Sequence, residues 1–139
     1  MIDGTTEPGA RALDRLGREL VIWLTTVAPS GQPQSAPVWF LWEDDAILVY
    51  SVKGSARARN IAGQPRVALN LNSSPGGGDL VVLEGEAVLD PSIPASSDHP
   101  AYAAKYRPLL DEYGWTPEYF ATEYPDPIRI RVTKARVGG

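Results

Sequence analysis

Among its 139 residues the chain has no cysteine, one methionine, two phenylalanines and a single histidine. Without cysteine there are no disulfides, no thiolate nucleophile and none of the usual structural zinc sites, and the redox compartment stays open. A serine-hydrolase triad would have to use His99, set in Ser97-Asp98-His99-Pro100 with no G-x-S-x-G elbow in the chain. It reads as an exposed loop histidine rather than a base. One histidine and no cysteine leave carboxylates as metal ligands, and Glu84, Glu86 and Asp90 lie along a strand rather than in a cluster. Their expected role is structural, with no catalytic residue and no metal. No apolar run approaches the ~18 residues of a membrane span and no basic-plus-apolar leader opens the sequence. The expectation is a cytoplasmic protein without a membrane partner.

Positive charge is also short overall: the net charge is -4 and the sequence pI is about 4.9. That balance argues against a nucleic-acid binder, which needs a positive surface to attract phosphates. Yet the 33 residues from Ala46 to Gly78 contain no Asp or Glu while holding Lys53, Arg57, Arg59 and Arg66. A small anionic ligand suits such a stretch.

With 43% hydrophobic residues, the chain reads as one domain over residues 1–139. Met1 to Gly9 is polar and expected to be loose; Ala12, Leu13, Leu16 and Leu20 then fall on one helical face. Strand patterns cover Leu20 to Val27, Gln34 to Trp42, Ala46 to Ser51, Val67 to Leu71, Leu80 to Leu89 and Ile128 to Val132. The first three are joined by Pro29 to Pro33 and by Glu43-Asp44-Asp45, as in an antiparallel meander. Ser73 to Gly78 reads as a hairpin loop, since it lacks phosphate-loop spacing and leads into a strand. A short helix is expected from Ser55 to Ala62, capped by Ser55. Another is expected over Ala101 to Tyr113, ended or kinked by Pro108, and a third begins at Thr116-Pro117 and runs to Tyr124. The fold class is mainly β: a six-stranded antiparallel barrel with short peripheral helices.

The binding chemistry falls where the third strand meets the basic turn. A phosphate beside Ser55, Arg57 and Arg59 would meet free backbone N–H groups, the positive end of a helix dipole and cationic side chains. Pro37-Val38-Trp39-Phe40-Leu41-Trp42 offers a rigid aromatic strand, with Tyr50 and Ser51 on the next, against which an isoalloxazine-like ring could lie. Having few reactive groups of its own, the chain would take its chemistry from such a cofactor.

Taken in order, Ser30-Gly31-Gln32-Pro33, Ser35 to Trp42, Tyr50-Ser51, Ala56-Arg57-Ala58-Arg59-Asn60, Pro65-Arg66-Val67 and Asp79 to Gly85 resemble the pyridoxamine 5′-phosphate oxidase-like flavin and deazaflavin oxidoreductases. The resemblance is to their actinobacterial branch, which uses the deazaflavin coenzyme F420. It implies a split β-barrel homodimer of the FMN-binding type, with cofactor sites at the subunit interface. It implies that Pro37, Val38, Trp39 and Phe40 line the ring, and that Ser51, Lys53, Ser55, Arg57 and Asn60 hold the phosphate side. Arg57 stands where many relatives carry Lys and can grip two phosphate oxygens. The implied activity is hydride transfer from reduced F420 to an unsaturated small molecule. Alternatives are an FMN-dependent reductase or oxidase, or a non-catalytic cofactor carrier. Trp39 and the aromatics between Tyr113 and Tyr124 are candidate substrate walls.

Overall fold

The computed structural model describes residues 1–139. Seven strands form one antiparallel sheet: β1 (Ile22–Val27), β2 (Pro33–Val38), β3 (Leu41–Glu43), β4 (Ala46–Ser51), β5 (Arg66–Asn70), β6 (Leu80–Leu89) and β7 (Asp126–Gly138). Their spatial order is β2-β1-β5-β6-β7-β4-β3. The expected six strands become seven because Gln34 to Trp42 is not one strand: it breaks at Trp39-Phe40. The expected meander breaks there too. β1 and β2 form one hairpin and β3 and β4 another, but β2 and β3 lie at opposite edges of the sheet. Asp44 and Asp45, both at positive φ (51° and 59°), make the two-residue turn of the second hairpin.

A length argument then shapes the sheet. Val38 and Leu41 are three Cα steps apart and can be separated by about 11 Å at most. In a flat sheet the edge strands, six spacings apart, would be about 29 Å from each other. The sheet must therefore curl until its edges nearly meet, and it forms an open, curled half-barrel rather than a closed barrel.

The curl encloses Ile22, Leu24, Phe40, Ile47, Val49, Leu69, Leu83, Ile128 and Ile130, all buried. Helix α1 (Glu7–Arg18) adds Ala12 and Leu16 to this core. It begins earlier than expected, because Thr6 accepts the Gly9 N–H at 3.1 Å as N-cap and Pro8 sits in the first turn. Leu20 lies beyond its end and is exposed. Helix α2 (Ala56–Gly63) is capped by Ser55 as expected. Outside the curl, α3 (Pro100–Tyr113), a 3₁₀ turn (Ser96–Asp98) and α4 (Pro117–Glu123) cover β3 and β4, enclosing Leu41, Leu48, Tyr50, Tyr102, Tyr106, Leu110 and Phe120. Pro108 does not end α3. Its missing N–H loses one helical bond, while Tyr106 and Leu110 remain buried on either side of it and hold the helix down. His99 is not a free loop histidine: it is partly buried and caps α3, its Nδ1 accepting the Tyr102 N–H at 3.4 Å.

The crossing at Trp39-Phe40 is held from α3. The Phe40 N–H donates to the Tyr106 hydroxyl at 2.7 Å, and that hydroxyl lies 2.7 Å from the Leu20 carbonyl and 3.0 Å from that of Phe40. Lys105 donates its Nζ to the Phe40 carbonyl at 2.8 Å and sits 3.9 Å above the Phe40 ring. Burial pushes the Lys105 ammonium down to about 8, against the opposing pull of Glu19.

Tyr106→Phe leaves the buried Phe40 N–H without its acceptor and should lower the unfolding free energy by about 1–3 kcal/mol in urea titration. The exposed control Tyr113→Phe should change it little. Lys105 also sets a pH dependence. Between about 8, its folded value, and 10.5, its ordinary value, the unfolded chain binds more protons, so stability should rise with pH. Above the ordinary tyrosine value of 10.0 it should fall, because burial raises Tyr50, Tyr102 and Tyr106 and the unfolded chain loses those protons first. Urea midpoints across this range should climb and then drop, and Lys105→Met should flatten the climb.

Candidate functional site

Where β2 ends, β4 ends and α4 passes over them, a cleft of about 460 Å³ opens. Eight of its ten lining residues are hydrophobic, and Arg57 is the one charged group among them. The aromatic wall is layered. The Trp39 ring stacks on Tyr106 (centroids 4.6 Å, planes 3° apart), on Phe120 (5.0 Å, 14°) and, farther off, on Tyr113 (6.4 Å, 19°); Phe120 in turn stacks on Tyr124 (4.6 Å, 18°). A planar ligand would extend this series of near-parallel rings. The Tyr50 phenol is tied up, donating to the Pro94 carbonyl at 2.6 Å, and burial pushes it up to about 12.

Arg57 reaches the cleft because the first turn of α2 aims it there and two serines hold it. Its Nη1 donates to Ser51 Oγ at 3.2 Å, Ser51 Oγ lies 2.8 Å from Ser55 Oγ, and Ser55 Oγ accepts the Ala58 N–H at 3.1 Å. That cap leaves the N–H groups of Ala56 and Arg57 at the helix start for other partners. Burial pushes the guanidinium down from its ordinary value, yet an arginine stays charged at neutral pH. No carboxylate pairs with it. On the far side of Arg57 lies a recess of about 130 Å³, lined by Leu24, Thr26, Gln34, Ser35, Ala36 and Ala56.

Of the residues singled out in the sequence, Pro37, Val38, Trp39, Tyr50 and Arg57 meet in the cleft. Ser51 and Ser55 stand behind Arg57. The others are elsewhere. Phe40 is wholly buried in the inner core, because it alternates with Trp39 and points to the opposite side of the chain. Asn60 is buried and donates Nδ2 to Thr26 Oγ1 (3.0 Å) and Gln34 Oε1 (2.8 Å), bracing α2 against the first hairpin. Lys53 is exposed, and Arg59 is exposed with its guanidinium folded back onto the Gly54 carbonyl. Sequence reasoning missed Val52 on the cleft and Thr26 and Gln34 in the recess. A signal existed for Thr26, a polar residue at the inward position after Ile22 and Leu24.

A second hollow, of about 390 Å³, lies between the second hairpin and residues 92–94, with His99 and Arg129 at its rim. It has no aromatic stack and mixes Glu43 and Asp44 with Arg129, which faces Asp90 at 3.9 Å. No group of three or more His, Asp or Glu side chains is arranged to hold a metal ion, and no helix is long and apolar enough to cross a membrane. Glu86 pairs with Arg131 across neighbouring strands at 3.1 Å.

Comparison with known proteins adds to this geometry. Residues 10–132 match the family model described as pyridoxamine 5′-phosphate oxidase. Among solved structures, the chain is similar to an F420 reductase, at 26% identity and a TM-score of 0.60 over 88% of this chain and 94% of that one. It is also similar to a FAD-binding protein from Mesorhizobium loti (19% identity, TM-score 0.65, 91% and 88% covered). A third likeness is to the haem storage protein HutZ from Vibrio cholerae (14%, 0.63, 94% and 91%). The last two likenesses bear on the fold alone. No curated protein matches in sequence.

The two arginines of α2 should differ in their effect on the binding of a phosphorylated planar ligand. Loss of a charge-assisted contact in Arg57→Ala should weaken binding of FMN or F420 by roughly ten- to a hundredfold, whereas Arg59→Ala, off the cleft, should cost no more than about threefold. Fluorescence titration of both variants checks this, and equal losses would contradict the placement.

Proposed function

Because the chain belongs to the pyridoxamine 5′-phosphate oxidase family, we propose that its aromatic cleft holds a flavin-type cofactor and that the protein is an oxidoreductase. The cofactor we favour is coenzyme F420, with hydride passing from its reduced form to an unsaturated small molecule. One observation carries the reading: a half-buried, unpaired arginine at a helix start, facing a cleft of stacked aromatic rings. That donor set suits a planar ring joined to a phosphate. Arg57 and the N–H groups of Ala56 and Arg57 would hold the phosphate, and Pro37 and Val38 would lie along the ring.

When bound, the reduced deazaflavin supplies the hydride; the chain supplies the surroundings. Trp39, Phe120 and Tyr124 orient a flat acceptor and keep water from it. No carboxylate or imidazole lines the cleft, so no side chain is assigned as acid or base. The same feature favours a second reading, a carrier that binds cofactor without turnover. F420 draws support from the F420 reductase among the similar structures, and FMN is the alternative on the same donor set. We propose a homodimer as the working form, in which a partner would cover Val52 and Tyr113, 48% and 57% exposed on the lining of the cleft.

Stopped-flow oxidation of reduced F420 by a quinone or enone, under anaerobic conditions, should be accelerated by the protein, and the same sample should sediment as a dimer at micromolar concentration. Tight FMN binding with dioxygen consumption and inert F420 would replace the cofactor. Binding of either without turnover would favour the carrier. A monomer with and without cofactor would remove the shared interface.

A further inference from the structure

Helix α2 carries Arg57 and Arg59 two positions apart, roughly 200° around the helix axis, so its rotation decides which of them reaches the cleft. The helix is eight residues long, and its buried residues are Asn60 and Ile61. Lying three and four positions after Arg57, both share a face with it. Ile61 packs in the inner core, but apolar burial has no direction and by itself fixes no rotation. Asn60 does have direction. Its Nδ2 donates one hydrogen to Thr26 Oγ1 at 3.0 Å and the other to Gln34 Oε1 at 2.8 Å. Thr26 and Gln34 are cross-strand partners on β1 and β2, so one planar amide spans the hairpin with both of its donors in use.

The same hairpin carries the opposite wall of the cleft. Pro37 and Val38, which line it, follow Gln34 on β2, an edge strand that pairs with β1. Between Arg57 and the hairpin lies the recess of about 130 Å³, bordered by Thr26 and Gln34. Side-chain packing is therefore incomplete along this seam, and directed hydrogen bonds set the spacing across it.

We propose that Asn60 is a positioning residue: by tying α2 to both strands of the first hairpin, it presents Arg57 rather than Arg59 at the cleft. That a phosphorylated planar ligand meets Arg57 there rests on the reading of the preceding section; the placement of the arginine can be tested without any ligand.

Two measurements on the full chain test this. The first is modification by phenylglyoxal, an arginine reagent, followed residue by residue by mass spectrometry. In the parent, half-buried Arg57 should react more slowly than exposed Arg59. Asn60→Ala should speed the reaction of Arg57 by roughly tenfold, the worth of about one hydrogen bond to the amide, while exposed Arg136 reacts as before. Gln34→Ala, at an exposed strand position, should act in the same direction and serves in both measurements if the asparagine variant misfolds. The second is a double-mutant cycle read by fluorescence titration with FMN and with F420. Asn60→Ala should weaken binding roughly tenfold in the parent but less than about twofold in Arg57→Ala, because it acts through that arginine. Thr26→Ser, which keeps the acceptor oxygen, should bind like the parent, whereas Thr26→Val should bind more weakly. Unchanged Arg57 reactivity in both variants would overturn the proposal. Equal losses of affinity in the two backgrounds would also overturn it, since Asn60 would then stabilise the fold without acting on Arg57. If neither FMN nor F420 bound the parent, the cofactor reading would fall, and the reactivity of Arg57 would still decide the role of Asn60.

Discussion

Everything in this protein hangs on a two-residue crossing. Trp39-Phe40 carries the chain from one edge of a seven-stranded sheet to the other, and so short a link is satisfied only if the sheet curls until its edges approach. Because the edges approach without pairing, the backbone at the crossing has no ladder to join, and its polar groups need partners from elsewhere. Tyr106 and Lys105, one turn of α3, supply them. The outer helical layer is therefore tied to the sheet at the point where the sheet would otherwise spring open.

The same crossing divides the hydrophobic residues into two cores. Successive side chains of an extended segment point to opposite sides, so Phe40 enters the curl and Trp39 faces the helices. Strand β4 continues the division: Ile47 and Val49 pack inside, Leu48 and Tyr50 outside. Buried on both faces, β4 reads in sequence as an unbroken apolar run, Ala46 to Tyr50, rather than an alternation. The cleft forms at the margin of the outer core, where Trp39 ends the packed layer and its neighbours Tyr113 and Tyr124 are only partly covered. A binding wall is thus made from core residues that run out of core.

Electrostatics follows the same geography. Arg11, Arg15, Arg18, Arg107, Arg129 and Arg131 all have carboxylate partners, whereas Lys53, Arg57, Arg59 and Arg66 have none. Lys105, Lys134 and Arg136 also lack a carboxylate partner, but the four named are the cations of the acid-free stretch, and among them Arg66 sits opposite Glu86 in the sheet without an ion pair to it. Of these, Arg57 alone is drawn inward, by Ser51 and Ser55, to a place where a ligand anion would meet it with little competition from water.

Local features were legible in the sequence because they arise from local forces. The cap at Ser55, the Thr116-Pro117 helix start, the span of β6 and the acid-free basic stretch depend on residues within a few positions of one another. Tyr50, Trp39 and Arg57 could be named as neighbours in the chain, although their common cleft could not be measured. What only the tertiary structure decided were choices between equivalent local options. Nothing near Phe40 in sequence says that its N–H will meet a tyrosine 66 residues away, so the strand break and the seventh strand were hidden. Arg57 and Arg59 are alike in sequence, but only packing turns one into the cleft and leaves the other outside. Propensity and pattern act over a turn of helix or a hairpin, whereas burial and the satisfaction of buried polar groups are settled by parts of the chain that meet only once it has folded.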